Sequence, residues 1–130
     1  MTADTNILVR ALTGDDTVQS PLAQAELANA EMVCVAVPAL CELVWVLSRG
    51  YKIPLPAIAE AIRRLIDAGN VVVNRPAVQA GLAMLEHGGD FADGVIAYEG
   101  AWLGGDDFVS FDGRAVKALL AQGYAARVPA

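Results

Sequence analysis

Between stretches of helical composition this chain carries apolar runs too short for anything but buried strands. They fall at residues 33–37, 71–73 and 108–111 and are rich in β-branched or aromatic side chains. A run without polar alternation belongs in a strand covered on both faces, the habit of parallel sheets. Such strands alternating with helices predict an α/β sandwich with a largely parallel sheet. At 130 residues the chain is expected to form one domain over 1–130, long enough to bury a core.

The remaining elements follow from start and stop signals. Residues 1–4 read as a further short strand, and Thr5 or Asn6 caps a helix through Leu12 that ends at Thr13-Gly14-Asp15-Asp16. A helix is expected at 18–30; another starts at Pro38 and stops at Gly50. Residues 56–68 form an amphipathic helix with Leu55, Ile58, Ile62, Leu65 and Ile66 on one stripe. Helices at 76–87 and 91–103 are divided by Gly88-Gly89; a helix at 114–122 and a last strand near 124–128 complete the chain.

Hydrophobic residues make up 55% and mean hydropathy is +0.44, more than one small core needs, so a partner is expected to cover part of the surface. A membrane span is not the explanation. The most apolar stretch, 32–48, is shorter than the roughly 20 residues a span requires and contains Pro38 and Glu42. The N-terminus lacks a basic-then-apolar leader, and Cys34 and Cys41 lie among aliphatic residues without metal-type spacing. Both features lead to the expectation of a cytoplasmic protein with buried, reduced thiols.

The acids carry the chemistry. Asp4 closes the first strand, Glu42 interrupts an apolar helix, Asp93 enters the helix at 91–103 three residues after Asp90, and Asp112 follows the strand at 108–111. Parallel sheets gather function at the carboxyl ends of their strands, so these acids are expected at one edge. Carboxylates in core-like surroundings are costly alone and tolerable when they share a divalent cation; an all-oxygen site suits Mg²⁺, with Mn²⁺ as substitute. The outline is that of a metal-dependent phosphate-cleaving enzyme. Each acid also has a plainer use: Asp4 and Asp90 as helix caps, Asp112 in a turn with Gly113, Glu42 as partner of a buried arginine. His87, the only histidine, sits at a helix end, which makes a Ser-His-Asp machine a poor fit. Net charge is −6, but the five candidate acids account for most of it, leaving nucleic-acid chemistry open.

ADTNILVR, VPALCELVWVL, DFADGVIAYEG and FVSFDG resemble, in order and spacing, the blocks of PIN-domain ribonucleases, in particular the VapC-type toxins of bacterial toxin–antitoxin (VapBC) pairs. The resemblance spans nearly the whole chain; its last block is the loosest. It implies a PIN-like three-layer α/β/α sandwich with a mainly parallel five-stranded sheet. It implies Mg²⁺-dependent endonucleolytic cleavage of RNA (tRNA, rRNA or mRNA) leaving a 5′-phosphate. By the same resemblance Asp4, Glu42, Asp93 and Asp112 are catalytic metal ligands, with Asp90 a more variable companion. Thr5, Asn6 and Ser110 fall at supporting polar positions. A homodimer and a small VapB-like antitoxin are implied as partners, the antitoxin lying near 45–66 on the apolar stripe. The acidic balance and the short segment before Asp4 depart from the pattern. Two other readings compete. A catalytically silent PIN-fold binding module would keep the fold without the chemistry. A receiver-like Mg²⁺-binding signalling domain lacks both its acid pair near the start and an acceptor Asp after residues 71–73.

Overall fold

A computed structural model describes every residue from Met1 to Ala130. In chain order the elements are α1 (Thr5–Thr13), α2 (Gln19–Asn29), β1 (Val33–Cys34), α3 (Val37–Trp45) running into a π-helical turn (Val46–Gly50), α4 (Leu55–Asp67), β2 (Val71–Val72), α5 (Arg75–Glu86), α6 (Phe91–Trp102), β3 (Phe108–Val109), α7 (Gly113–Ala121) and β4 (Ala126–Arg127). The chain divides into two compact units, Met1–Asn74 and Arg75–Ala130.

In the first unit β1 and β2 pair in parallel, Val33 with Val71 and Cys34 with Val72. Thr2 adds a parallel bridge to Cys34. The Ala3 N–H donates to the Cys34 carbonyl at 3.0 Å and the Cys34 N–H to the Met1 carbonyl at 2.8 Å. The first residues thus lie along β1 as a strand in all but length and bring Asp4 to the start of α1. Gly14 ends α1 in the left-handed region (φ 64°), its N–H returning to the Arg10 carbonyl at 3.2 Å. Glycine adopts that conformation without a Cβ penalty. Helix α1 packs on α2 and α3.

Strand β1 is shorter than the apolar run 33–37 predicts. The chain already turns helical at Val37, because Pro38 in the first turn of α3 fixes a helical φ and lacks an N–H to give to a ladder. Along α3 and its π turn, Leu40, Leu43, Val44 and Leu47 are buried.

The stripe expected to await a partner on α4 is mostly core. Ile58, Ile62 and Ile66 are 1%, 0% and 2% exposed, Leu65 is half-buried, and Leu55 alone is exposed. A helix with one strongly apolar face buries that face wherever the rest of the chain can cover it. Charged residues at Ile58 or Ile62 would break the core before they touched any docking surface.

In the second unit β3 and β4 pair in parallel, Phe108 with Ala126 and Val109 with Arg127. Met84, Ala97, Ala115, Ala118 and Leu119 form its core, with Phe108, Tyr124 and Ala126 packed against them. Helices α5 and α6 make the most extensive helix pair in this unit. Their close approach depends on Gly94, where an added Cβ would run into the Ala80 carbonyl oxygen and the Met84 Cβ.

All the extended segments expected from the sequence are present, and the architecture is α/β. Ladder bonds join these segments as the pairs β1–β2 and β3–β4 plus the Thr2 bridge; a continuous five-stranded sheet is not seen. No helix is long and apolar enough to cross a membrane. The surplus of apolar residues shows on the surface instead, at Trp102, Leu103 and Phe111. Cys34 and Cys41 are half-buried, less enclosed than expected, and form no disulfide.

Candidate functional site

The candidate acids divide between the two units, with Asp4 and Glu42 in the first and Asp90, Asp93 and Asp112 in the second. Asp4 stands at the N-cap of α1 with extended backbone (φ −77°, ψ 159°), yet its side chain makes no capping hydrogen bond. The capping use that the sequence also allowed is therefore not taken up, and the carboxylate is left free for a ligand. Glu42 lies on α3 and is exposed. This corrects the expectation of an acid sunk among aliphatic residues. Its neighbours Cys41 and Leu43 point about 100° to either side on a helix, so they flank the carboxylate without covering it.

The Thr5 hydroxyl donates to Glu42 Oε2 at 2.8 Å and so ties α1 to α3 beside Asp4. Asp4, Thr5, Asn6 and Glu42 line one open pocket of about 400 Å³ together with Val9, Arg10, Val46 and Tyr51.

In the second unit Asp90 repeats the pattern of Asp4. It is the N-cap residue of α6, extended, and its side chain makes no capping bond. Asp112 does cap: Oδ1 accepts from the N–H groups of Arg114 (3.0 Å) and Ala115 (3.2 Å), opening α7. The Ser110 hydroxyl accepts from the Asp112 N–H at 3.0 Å, so Ser110 supports this acid through its backbone. Because both caps use Oδ1, Oδ2 remains available. We expect Asp112→Ala to lower stability by about 1 kcal/mol through loss of the cap, and Asp112→Asn to keep most of it. Urea unfolding of the two variants measures the difference and separates the structural use of this residue from any chemical one.

Asp93, half-buried in the first turn of α6, is the one candidate acid that is not exposed. Burial pushes its carboxyl above the ordinary 3.8, and the neighbouring charges of Asp90 and Asp112 push it further. The native state therefore holds this proton more tightly than the unfolded chain. The stability this contributes is fully present below pH 3.8 and is lost as pH rises through the elevated native value. Asp93→Asn should accordingly raise the melting temperature in metal-free buffer at neutral pH. The gap should close in acid, where both proteins carry an uncharged group. A lower melting temperature for the variant at neutral pH would contradict the electrostatic account.

The donors are carboxylate, hydroxyl and amide oxygens, the hard ligands that Mg²⁺ and Mn²⁺ prefer, and the strain of uncompensated charge at Asp93 is of the kind a cation relieves. In donor type the residues fit such an ion. No ready-made cage is seen, since no group of three or more His, Cys, Asp or Glu side chains is gathered tightly enough to hold a metal. The acids are mostly exposed, and carboxylates brought together raise each other's cost, as Asp93 already records.

A family model described as PIN domain matches residues 1–118. The chain belongs to the PIN domain family, generally a nuclease fold whose members are usually metal-dependent. Comparison with curated proteins gave no match.

Two residues of the Asp4–Glu42 pocket were not assigned to the site from sequence. Arg10 was legible in principle, being four residues after Asn6 and so on the same helix face. Tyr51 was not. Its place depends on the π-helical turn, in which the Tyr51 N–H bonds the Val46 carbonyl five residues back at 3.2 Å. His87, by contrast, is exposed as expected, its Nδ1 lying 2.8 Å from the Ala83 carbonyl.

Proposed function

We propose that this PIN-domain chain is a Mg²⁺-dependent endoribonuclease acting as the VapC-type toxin of a toxin–antitoxin pair. What supports the reading is a single observation: Asp4 and Asp90 occupy helix-start positions without spending their carboxylates on the backbone. Acids withheld from the nearest structural use, in a chain of a nuclease family, are available for an ion.

In this reading residues 1–130 act as one PIN domain built on a five-stranded sheet. Asp4, Glu42, Asp90, Asp93 and Asp112 hold Mg²⁺, with Mn²⁺ as substitute; Asp4, Glu42, Asp93 and Asp112 are the catalytic set. The chemistry the ion supplies when bound is activation of water and neutralisation of charge on the scissile phosphodiester. Thr5 orients Glu42 through the 2.8 Å bond described above, so that Oε1 stays free for a ligand. Asn6 offers an amide to substrate or water, and Ser110 steadies the backbone of Asp112. The substrate is RNA, the restraining partner a VapB-like antitoxin, the assembly a homodimer and the compartment the cytoplasm.

Incubation of the purified chain with total cellular RNA should give discrete fragments bearing 5′-phosphates. Chelation should stop the reaction, and Mg²⁺ or Mn²⁺ should restore it where Zn²⁺ does not. Cleavage that survives exhaustive chelation, or no cleavage of tRNA, rRNA or mRNA under any of these conditions, would overturn the reading. The absence of a gathered acid cage is the one observation favouring a silent binding module. Titration with Mn²⁺ separates the two, because only the enzyme gains stability from the ion.

A further inference from the structure

We infer that Arg10, held in place by Asp15, Gln19 and Tyr51, is a phosphate-binding residue that seats the RNA backbone in the Asp4–Glu42 pocket. The inference rests on the nuclease reading and names how that site takes hold of its substrate.

Arg10 is the only positively charged side chain lining that pocket. Its guanidinium is half-exposed and pinned on two edges. Nε donates to Gln19 Oε1 at 2.9 Å, and Nη1 to the Asp15 carboxylate at 3.2 and 3.4 Å. Nη1 also lies 3.4 Å from the Tyr51 hydroxyl, which itself donates to Asp15 Oδ2 at 2.8 Å. No bond within the protein uses Nη2. An arginine fixed in this way has lost its rotamer freedom before substrate arrives and keeps one edge of its fork for a phosphate oxygen.

Asp15 engages Arg10 through Nη1 alone, which leaves the Nη2 edge of the fork unused. Its carboxyl is held below the ordinary range first by the Thr13 hydroxyl, then by Tyr51, and only afterwards by Arg10. Thr13 reaches it at 2.7 Å. The carboxylate is thus an anchor satisfied from several directions. The π-helical turn completes the arrangement: its five-residue spacing stacks Tyr51, in place of Gly50, above Val46 on the pocket wall. Since Asp4 and Glu42 line the same pocket, a phosphodiester entering it meets two negative charges, and Arg10 is the protein group that offsets them.

Binding of a short fluorescein-labelled single-stranded RNA of mixed sequence is measured by anisotropy in Ca²⁺, beside steady-state cleavage in Mg²⁺. Arg10→Gln should weaken binding and raise KM about tenfold, with kcat changed by less than about twofold. The dependence of Kd on salt should become shallower, which a merely structural role would not produce. Arg10→Lys should restore the salt dependence and part of the affinity. Tyr51→Phe should weaken binding less and leave the salt dependence intact. The exposed ion pair contributes little to stability, and circular dichroism verifies that the variants remain folded. A wild-type chain that cleaves RNA while Arg10→Gln keeps its KM and salt dependence overturns the inference and spares the nuclease reading. A chain that binds RNA through Arg10 without cleaving it does the reverse. If it neither binds nor cleaves, both fall.

Discussion

Glu42→Gln is expected to reduce RNA cleavage by more than about a hundredfold while the fold survives. Replacements of residues that only support metal ligands typically cost 10–100-fold, so a larger loss marks a ligand. The substituted amide still offers an oxygen to the Thr5 hydroxyl, which keeps the local geometry and removes the charge. Glu42 is exposed, so no buried group is orphaned and stability should change by less than about 0.5 kcal/mol. Asp4→Asn should behave alike, because its side chain carries no cap whose loss would weaken α1. Thr5→Val, which deletes the orienting bond alone, should fall in the 10–100-fold range. Initial rates on a cleaved RNA, read beside melting curves, check all three. Activity of Glu42→Gln within tenfold of the wild type would remove this carboxylate from the metal site.

The second large effect is on stability. Gly94→Ala adds one methyl group at the α5–α6 contact, and its nearest obstacle is backbone, the Ala80 carbonyl, with the Met84 Cβ behind it at 2.7 Å. Backbone within a helix cannot swing aside as a side-chain tip can, so the two helices must separate. Overpacking usually costs 1–3 kcal/mol, and a rigid obstacle puts this case at or above the top of that range, about 3 kcal/mol. For a chain of this length that corresponds to a melting temperature lower by roughly 10 °C. The penalty should fall on α6, which carries Asp93, so weaker metal binding should accompany the loss. A variant that melts within about 2 °C of the wild type would mean that the helices part without cost.

Most of the helices were legible because their signals are local. Pro38 in the first turn of α3, Gly14 after α1 and the stripe of α4 act within a few residues of themselves. The apolar run 33–37 was read too long as a strand, since its composition cannot show where Pro38 takes the backbone over. The acids stand out in the sequence as polar outliers against apolar surroundings, but in the structure all except Asp93 are exposed. Composition around Glu42 counts neighbours along the chain, whereas exposure depends on the helical angle between them. The α4 stripe was misread for a related reason: periodicity identifies a face that must be covered and is silent on what covers it. Tyr51 had no sequence signal at all, because α-helical and π-helical turns are written in the same residues.

The Thr2–Cys34 bridge and its two flanking hydrogen bonds make Asp4 depend on very little structure. Ala3, 2% exposed, and Cys34 are fastened by a pair of amides whose hydrogens are shielded only while the first residues lie along β1. Deuterium uptake at those two positions therefore clocks each detachment of the first carboxylate from the body that presents it, with no substrate or ion in the tube. Slow exchange there would mark an acid standing ready in advance, and fast exchange one that is assembled afresh for every encounter.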